Sequence, residues 1–454
     1  MSIGKSKTRD MTSGSIPGQI MHFAIPLMVG NVFQMLYNTV DSIVVGNFVG
    51  TQALAAVSST TMITNMAVFF FNGFSVGASV VVGKFFGAKN KERLHTAVET
   101  TMLTTFILCI LFTAFFVLSS KYLLDFMDTP KDVFGQAQLY LNIYFAGVSG
   151  LLIYNMGSAI LRAVGDTVRP LYFLVLTSVL NIFLDLLFVL KFHMGIAGVA
   201  YATIIAQFIS AFAVMLLLTR THEIYRFAWR DMKMDFSMLS DIVRIGLPAA
   251  IQSIITSFSN VFVQSYINHF GSYVMAGWGS YNKIDQFIML PMQSMSLAAT
   301  TFVSQNIGAK NVSRAHKGTW VSILLTLAIT GAIAVLIFAF APATVRLFSS
   351  DKQVIKYGQT FLRVNIFFVL TNCISQILAG SLRGCGDSNG PMIIMLLSFV
   401  AIRQCYLYII THYVINTPAV VGFGYPVGWI CSAVILTLYY HKRIKHFESK
   451  CCSI

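Results

Sequence analysis

Long apolar runs separated by short polar punctuation fill the chain from end to end. Twelve of them, starting near Pro17, Ala53, His95, Phe134, Arg169, Ile196, Leu239, Met275, Gly318, Gln353, Pro391 and Ala419, reach the roughly 20 residues needed to cross a hydrocarbon core of about 30 Å. The runs are continuously apolar and do not alternate over about ten residues as barrel strands would. Each therefore satisfies its own backbone in lipid as a helix. The pattern predicts an all-α polytopic membrane protein with twelve transmembrane helices.

The second half repeats the first. GAKNKERLH at Gly87 to His95 returns as GAKNVSRAH at Gly308 to His316, an offset of 221, and LRAVGDTVRP at Leu161 to Pro170 returns as LRGCGDSNGP at Leu382 to Pro391 with the same offset. AIPLMVGNVF at Ala24 aligns with GLPAAIQSII at Gly246 through Pro26 and Pro248, one residue out of step. Constant spacing over hundreds of residues marks an internal duplication. Six crossings per copy is an even number, so both copies start on the same side and the repeat is parallel. The organisation expected is an N-terminal segment 1–16, an N-lobe 17–220 with helices 1–6, a linker 221–238, a C-lobe 239–441 with helices 7–12, and a C-terminal segment 442–454. The turns at Gly165-Asp166 and Gly386-Asp387 precede Pro170 and Pro391 and suit helix starts. A scaffold or gating role is expected for them and for Arg162 and Arg383.

Composition agrees with the pattern: 56% of the 454 residues are hydrophobic and 11% charged, with mean hydropathy +0.72. That excludes a soluble globular protein. If the termini are cytoplasmic, 22 of the 31 Lys and Arg lie in cytoplasmic segments, six in opposite loops and three within spans. This asymmetry predicts cytoplasmic termini, and it makes the net charge of +14 a topology signal, with no nucleic-acid partner expected. The basic face would meet anionic membrane lipid. The first run is too long and too polar for a cleavable signal peptide. The seven cysteines are odd in number and lack metal spacing, so neither a disulfide framework nor a metal site is read from them; Cys451 and Cys452 are a free pair or a lipidation site.

Three acids fall inside spans: Asp41, Asp185 and Asp285. A carboxylate at mid-depth costs roughly 2.5–3.5 kcal/mol on insertion scales, so it marks function by default. Asn181 precedes Asp185 by four residues, and Tyr37 and Asn38 precede Asp41 by four and three, so each acid shares its helix face with polar groups. At about 1.5 Å per residue, Asp185 stands about 24 Å up its helix and Asp41 at least about as high, so the two can meet. No basic residue of the first six spans is near them, whereas Asp285 has Lys283 close in sequence and Arg403 on another C-lobe helix. Two neighbouring carboxylates in low dielectric cannot both ionise cheaply. They suit a proton, Na⁺ or an organic cation, and competition between cations is the physical basis of antiport.

Taken together, AIPLMVGNVFQMLYNTVDSIVVG, GASVVVGKFFGAKN, ILRAVGDTVRP, LNIFLDLLF and GIAGVAYATIIAQ, with their second-half copies, resemble the multidrug and toxic compound extrusion (MATE) family of the MOP flippase superfamily, in its DinF-type or MepA-like branch. The resemblance implies a V-shaped twelve-helix fold. It also implies a secondary active antiporter that exports organic cations against H⁺ or Na⁺ by alternating access between the lobes. Asp41 and Asp185, with Asn181, would be the cation-coupling groups and would hold Na⁺ if that is the ion, with Tyr37, Asn38, Asn155 and Thr203 as supporting polar groups. The sodium-linked branch carries acids in helices 7 and 10, where this chain offers Gln264 and Asn372. Coupling is therefore expected in the N-lobe, with Asp285, Lys283, Arg403 and Gln264 as C-lobe cavity candidates. No cofactor, a monomer and a bacterial or archaeal inner membrane are expected. The alternative, a lipid-linked oligosaccharide flippase, would line its cavity with basic residues, yet only Lys283, Arg363 and Arg403 lie in spans. No hydrolase elbow, zinc spacing or phosphate loop points to an enzyme.

Overall fold

The computed structural model describes residues 8–452, with side chains to Lys445. Lys5 and Lys7 of the N-terminal basic segment, and the side chains of Cys451 and Cys452, lie outside the described residues. Every regular element among the described residues is helical. Ten helices are long and apolar enough to cross a membrane, or up to twelve if each of two bent pairs is one span.

The order is α1 (Ile16–Val44), α2 (Thr51–Gly87), α3 (Lys91–Phe126), α4 (Lys131–Ala146), α5 (Val148–Ala163), α6 (Val168–Leu186) and α7 (Gly195–Arg220), then α8 (Phe236–Asn268), α9 (Ser272–Gly308), α10 (Val312–Ala339), α11 (Ala341–Arg346), α12 (Lys352–Asn365), α13 (Val369–Gly384), α14 (Asn389–Leu396), α15 (Arg403–Tyr413), α16 (Pro418–Gly422) and α17 (Gly424–Cys452). Two predicted spans are broken: α4 and α5 bend by 44° at Gly147, and α12 and α13 by 54°. A Cβ at Gly147 would strike Ile204 of α7, so only glycine lets the corner sit there. Hydropathy averages over such corners and does not register them.

The chain forms two compact units. The first holds the described residues up to Asp10 and Ile25–Leu247. In it α5 packs on α7, α2 and α3, and α6 packs on α7. Small residues make the closest approach possible: Gly150 of α5 lies against the backbone of Gln207 and Phe208, and Gly157 against Val214. The second holds Met11–Ala24 and the chain from Pro248. Here α9 is central, flanked by α10, α12 and α13. Gly380 of α13 leaves room for Ser296 and Thr300 of α9, whose hydroxyls donate to the carbonyls of Gln376 and Gly380 at 2.8 and 2.9 Å.

The repeated motifs are joints. In each GAKN the lysine is left-handed, Lys89 at φ 53° and Lys310 at φ 58°, which ends one helix. The asparagine then caps the next: Asn90 Oδ1 accepts from the Arg93 N–H and Asn311 Oδ1 from the Arg314 N–H, both at 3.0 Å. Likewise Gly165 and Gly386 adopt φ of 84° and 88°. Asp166 accepts from the N–H groups of Val168 and Arg169, and Asp387 from the N–H of Gly390. The turns are therefore built as helix starts, with Pro170 and Pro391 in the first turn of the helix that follows.

Candidate functional site

In the first unit α6 presents two different faces. Leu176, Val179 and Phe183 are exposed, 59–61% each, as a lipid-facing stripe should be, while Ser178, Asn181 and Asp185 are buried on the other side. Asp185 is wholly inaccessible, and neither of its oxygens receives a hydrogen bond. Both polar atoms of Asn181 and the hydroxyl of Ser178 are also unpartnered. On α1, Asp41 turns its carboxyl to that of Asp185, side chain to side chain. Among the described residues no Lys, Arg or His forms an ion pair with either acid.

Local structure brings the two acids to corresponding places. Each precedes a π-helical turn, Val45–Val49 after α1 and Leu187–Lys191 after α6, and the two turns touch. Such turns widen a helix by one residue per turn and recur at functional sites. Tyr37 lies within electrostatic reach of Asp41, Tyr144 and Tyr154, and Tyr140 within reach of both acids. Tyr140 and Tyr144 stack with centroids 6.1 Å apart, and Gln207 of α7 lies next to Tyr144. Other expected groups are less directly engaged. Asn155 donates to the Leu151 carbonyl and Thr203 to the Val199 carbonyl, both at 3.0 Å within their own helices, and Asn38 is exposed.

Sequence reading missed Ser178, Tyr140, Tyr144 and Gln207. The first shares the 178–181–185 stripe, and the tyrosines form an i,i+4 pair, so both signals were present in the spacing. Gln207 depends on α4–α7 packing, which no local pattern carries. Unpaired carboxylate and amide oxygens in one buried cluster are the donor set that a hard cation such as Na⁺ takes, so the residues fit the ion.

The C-lobe candidates divide. Asp285, half-buried on α9, lies one turn after Tyr281, and both its Oδ1 and the Tyr281 hydroxyl are unpartnered. Arg403 is buried; it donates to Ser259 Oγ at 2.7 Å and lies over the Tyr425 ring, 4.8 Å from its centroid. Neither Arg403 nor Lys283 pairs with Asp285, contrary to the proximity their positions suggested. Lys283 is two residues from Asp285, hence on another helix face, and its Nζ sits 5.6 Å from the Phe348 ring. Gln264 is tied to Asn268 at 2.8 Å. Arg383 reaches Gln252 at 3.5 Å, and Asp387 is held by Tyr439 and Arg443. Five cysteines among the described residues are free, and burial pushes the Cys385 thiol up to about 12, where it is inert at neutral pH.

Comparison with known proteins extends this. The chain is 30% identical to the "Probable multidrug resistance protein YpnP" of Bacillus subtilis, covering 98% of this chain and 100% of that one. It is 29% identical to "Probable multidrug resistance protein YoeA" of the same organism over 95% of each. The solved structure of a MOP superfamily transporter from Pyrococcus furiosus superposes with TM-score 0.92 at 25% identity, covering 98% of this chain and 99% of that one. The MatE family model matches twice, over residues 26–187 and 248–409, which are the two copies of the repeat. A helical chain with ten to twelve apolar spans, duplicated in this way and with matches across nearly its whole length, belongs to the MATE family of multi-pass membrane transporters.

Proposed function

We propose that this chain is a cation-coupled multidrug efflux antiporter in which Asp41 and Asp185 carry the coupling ion. The observation that bears most weight is the meeting of the buried Asp185 carboxyl with that of half-buried Asp41, neither in an ion pair, beside Asn181 and Ser178. In a low dielectric two such groups hold one shared proton or one small cation far more easily than two bare charges. Binding a coupling cation from one side and losing it to the other converts a gradient into a change at this cluster. A cationic cargo favours the same negative site, so ion and cargo exclude each other, and exclusion of like charges produces exchange. The relatives named as multidrug resistance proteins support small-molecule efflux.

The rest of the reading follows from the family and the charge pattern. Alternating access between the lobes moves organic cations out of the cell, both termini are cytoplasmic, the membrane is the bacterial or archaeal inner membrane, and the protein works as a monomer without a cofactor. Tyr37, Tyr140 and Tyr144 add aromatic surface next to the acids, suited to planar organic cations. Purified protein in lipid vesicles, with an imposed pH gradient or an imposed sodium gradient applied alone, tests the coupling. One of the two gradients drives dye export in the wild type. Export driven by neither sinks the antiport reading.

A further inference from the structure

The segment that leaves α7 carries a cluster for which the transport reading has no use. It runs back along the first turns of α3. Trp229 stacks on Phe106 with centroids 5.5 Å apart, Met234 Sδ lies 3.9 Å from Thr104 Oγ1, the Asp235 N–H donates to Thr100 Oγ1 at 3.2 Å, and Arg93 stands 3.8 Å from Asp235. These contacts set Asp231 beside His95 and Glu99, which share one face of α3 at i and i+4. One ligating atom of each of the three lies within 4.8 Å of the other two.

An ordinary helix-surface ion pair would explain His95 and Glu99 alone, since His95 Nδ1 is 3.0 Å from Glu99 Oε1. Two observations exceed it. Glu99 is only 4% exposed and its Oε1 receives no hydrogen bond, so a buried carboxylate oxygen is left without a bonded partner inside the cluster. Asp231 adds a second negative charge, and Lys233 is the other basic group facing Glu99. The repeat supplies the second observation. His95 recurs as His316, but the position of Glu99 is taken by Trp320, and His316 is employed in stacking on Tyr440 at 5.8 Å, its Nδ1 3.3 Å from the hydroxyl. The histidine thus serves the scaffold without an acid. Glu99 is peculiar to the copy that the linker crosses.

We propose that His95, Glu99 and Asp231 bind a divalent transition-metal cation of the Zn²⁺ type, through one imidazole nitrogen and two carboxylates with water completing the sphere. Imidazole selects for this class over Mg²⁺ or Ca²⁺, and three protein ligands leave an open position. The ion displaces Lys233 from Glu99 and joins α3 to the linker, fixing Asp231 and the neighbouring Trp229 in place.

The test uses the full chain in detergent with Cys451→Ser and Cys452→Ser, so that terminal thiols do not compete for the probe, ZnCl₂. Equilibrium dialysis measures binding, and tryptophan emission follows Trp229, identified by the loss of its signal in Trp229→Phe. Expected is a saturable site whose affinity falls by about tenfold or more in His95→Ala and in Asp231→Asn, with the emission change lost in both and kept in His316→Ala. Asp231 is exposed on a turn, so its substitution leaves the fold intact. Zinc affinity and emission response that are the same in wild type, His95→Ala and Asp231→Asn overturn the proposal.

Discussion

The two lobes are copies of one scaffold with different polar contents. Joints are shared: Asn90 and Asn311 cap their helices with the same 3.0 Å bond, and Asp166 and Asp387 both cap the helix that follows. Chemistry is not. At the offset of the repeat, Asp185 corresponds to Tyr406 and, with the one-residue shift of the first helix, Asp41 to Val263. In the N-lobe the buried Asp185 meets the half-buried Asp41 with no basic partner among the described residues, whereas the C-lobe buries Arg403 with its partners supplied by Ser259 and Tyr425. Duplication preserved what shapes the backbone and released the buried polar positions to diverge, so the lobe in which two acids meet without a basic partner is the one in which ion exchange is sought.

The sharpest break in that comparison is Asp185→Asn, which should abolish ion-driven export while leaving the protein folded and inserted, as seen in vesicle efflux alongside size-exclusion profiles. Asp41→Asn should do much the same. Unchanged efflux in both would make the pair structural. A methyl added in the small-residue seams comes next: Gly157→Ala against Val214 and Gly380→Ala against Ser296 should each cost about 1–3 kcal/mol of stability through overpacking, visible as lower melting temperatures in detergent. Asp285→Asn should reduce efflux less than either N-lobe change and alter cargo affinity more than ion dependence; an equal loss would place coupling in both lobes. The smallest effect tests the shared joints. Asn90→Ala and Asn311→Ala should each cost about 1 kcal/mol, and a large difference between them would show that the joints have diverged too.

Much of this was legible in the chain. Helix number, duplication and joints come from periodic hydropathy and from residue types, asparagine, glycine and aspartate, whose local chemistry dictates their use. The Asp41–Asp185 meeting could be read from depth and shared faces because helical rise is regular. Corners at Gly147 and near Phe368, the π turns, and the approach of Gln207 to Tyr144 were not legible, since they depend on which helix packs where. Asp285 shows the limit most clearly. Sequence proximity offered it Lys283, but a separation of two residues turns the lysine away, and Arg403 is bonded elsewhere.

Proton release on cation binding tests the N-lobe claim most directly. Detergent-purified protein in weakly buffered solution near neutral pH, titrated with a planar cationic dye and separately with NaCl, should release protons on binding at least one of them. The Asp41→Asn/Asp185→Asn double variant should release none. Equal release from the wild type and the double variant would contradict the account.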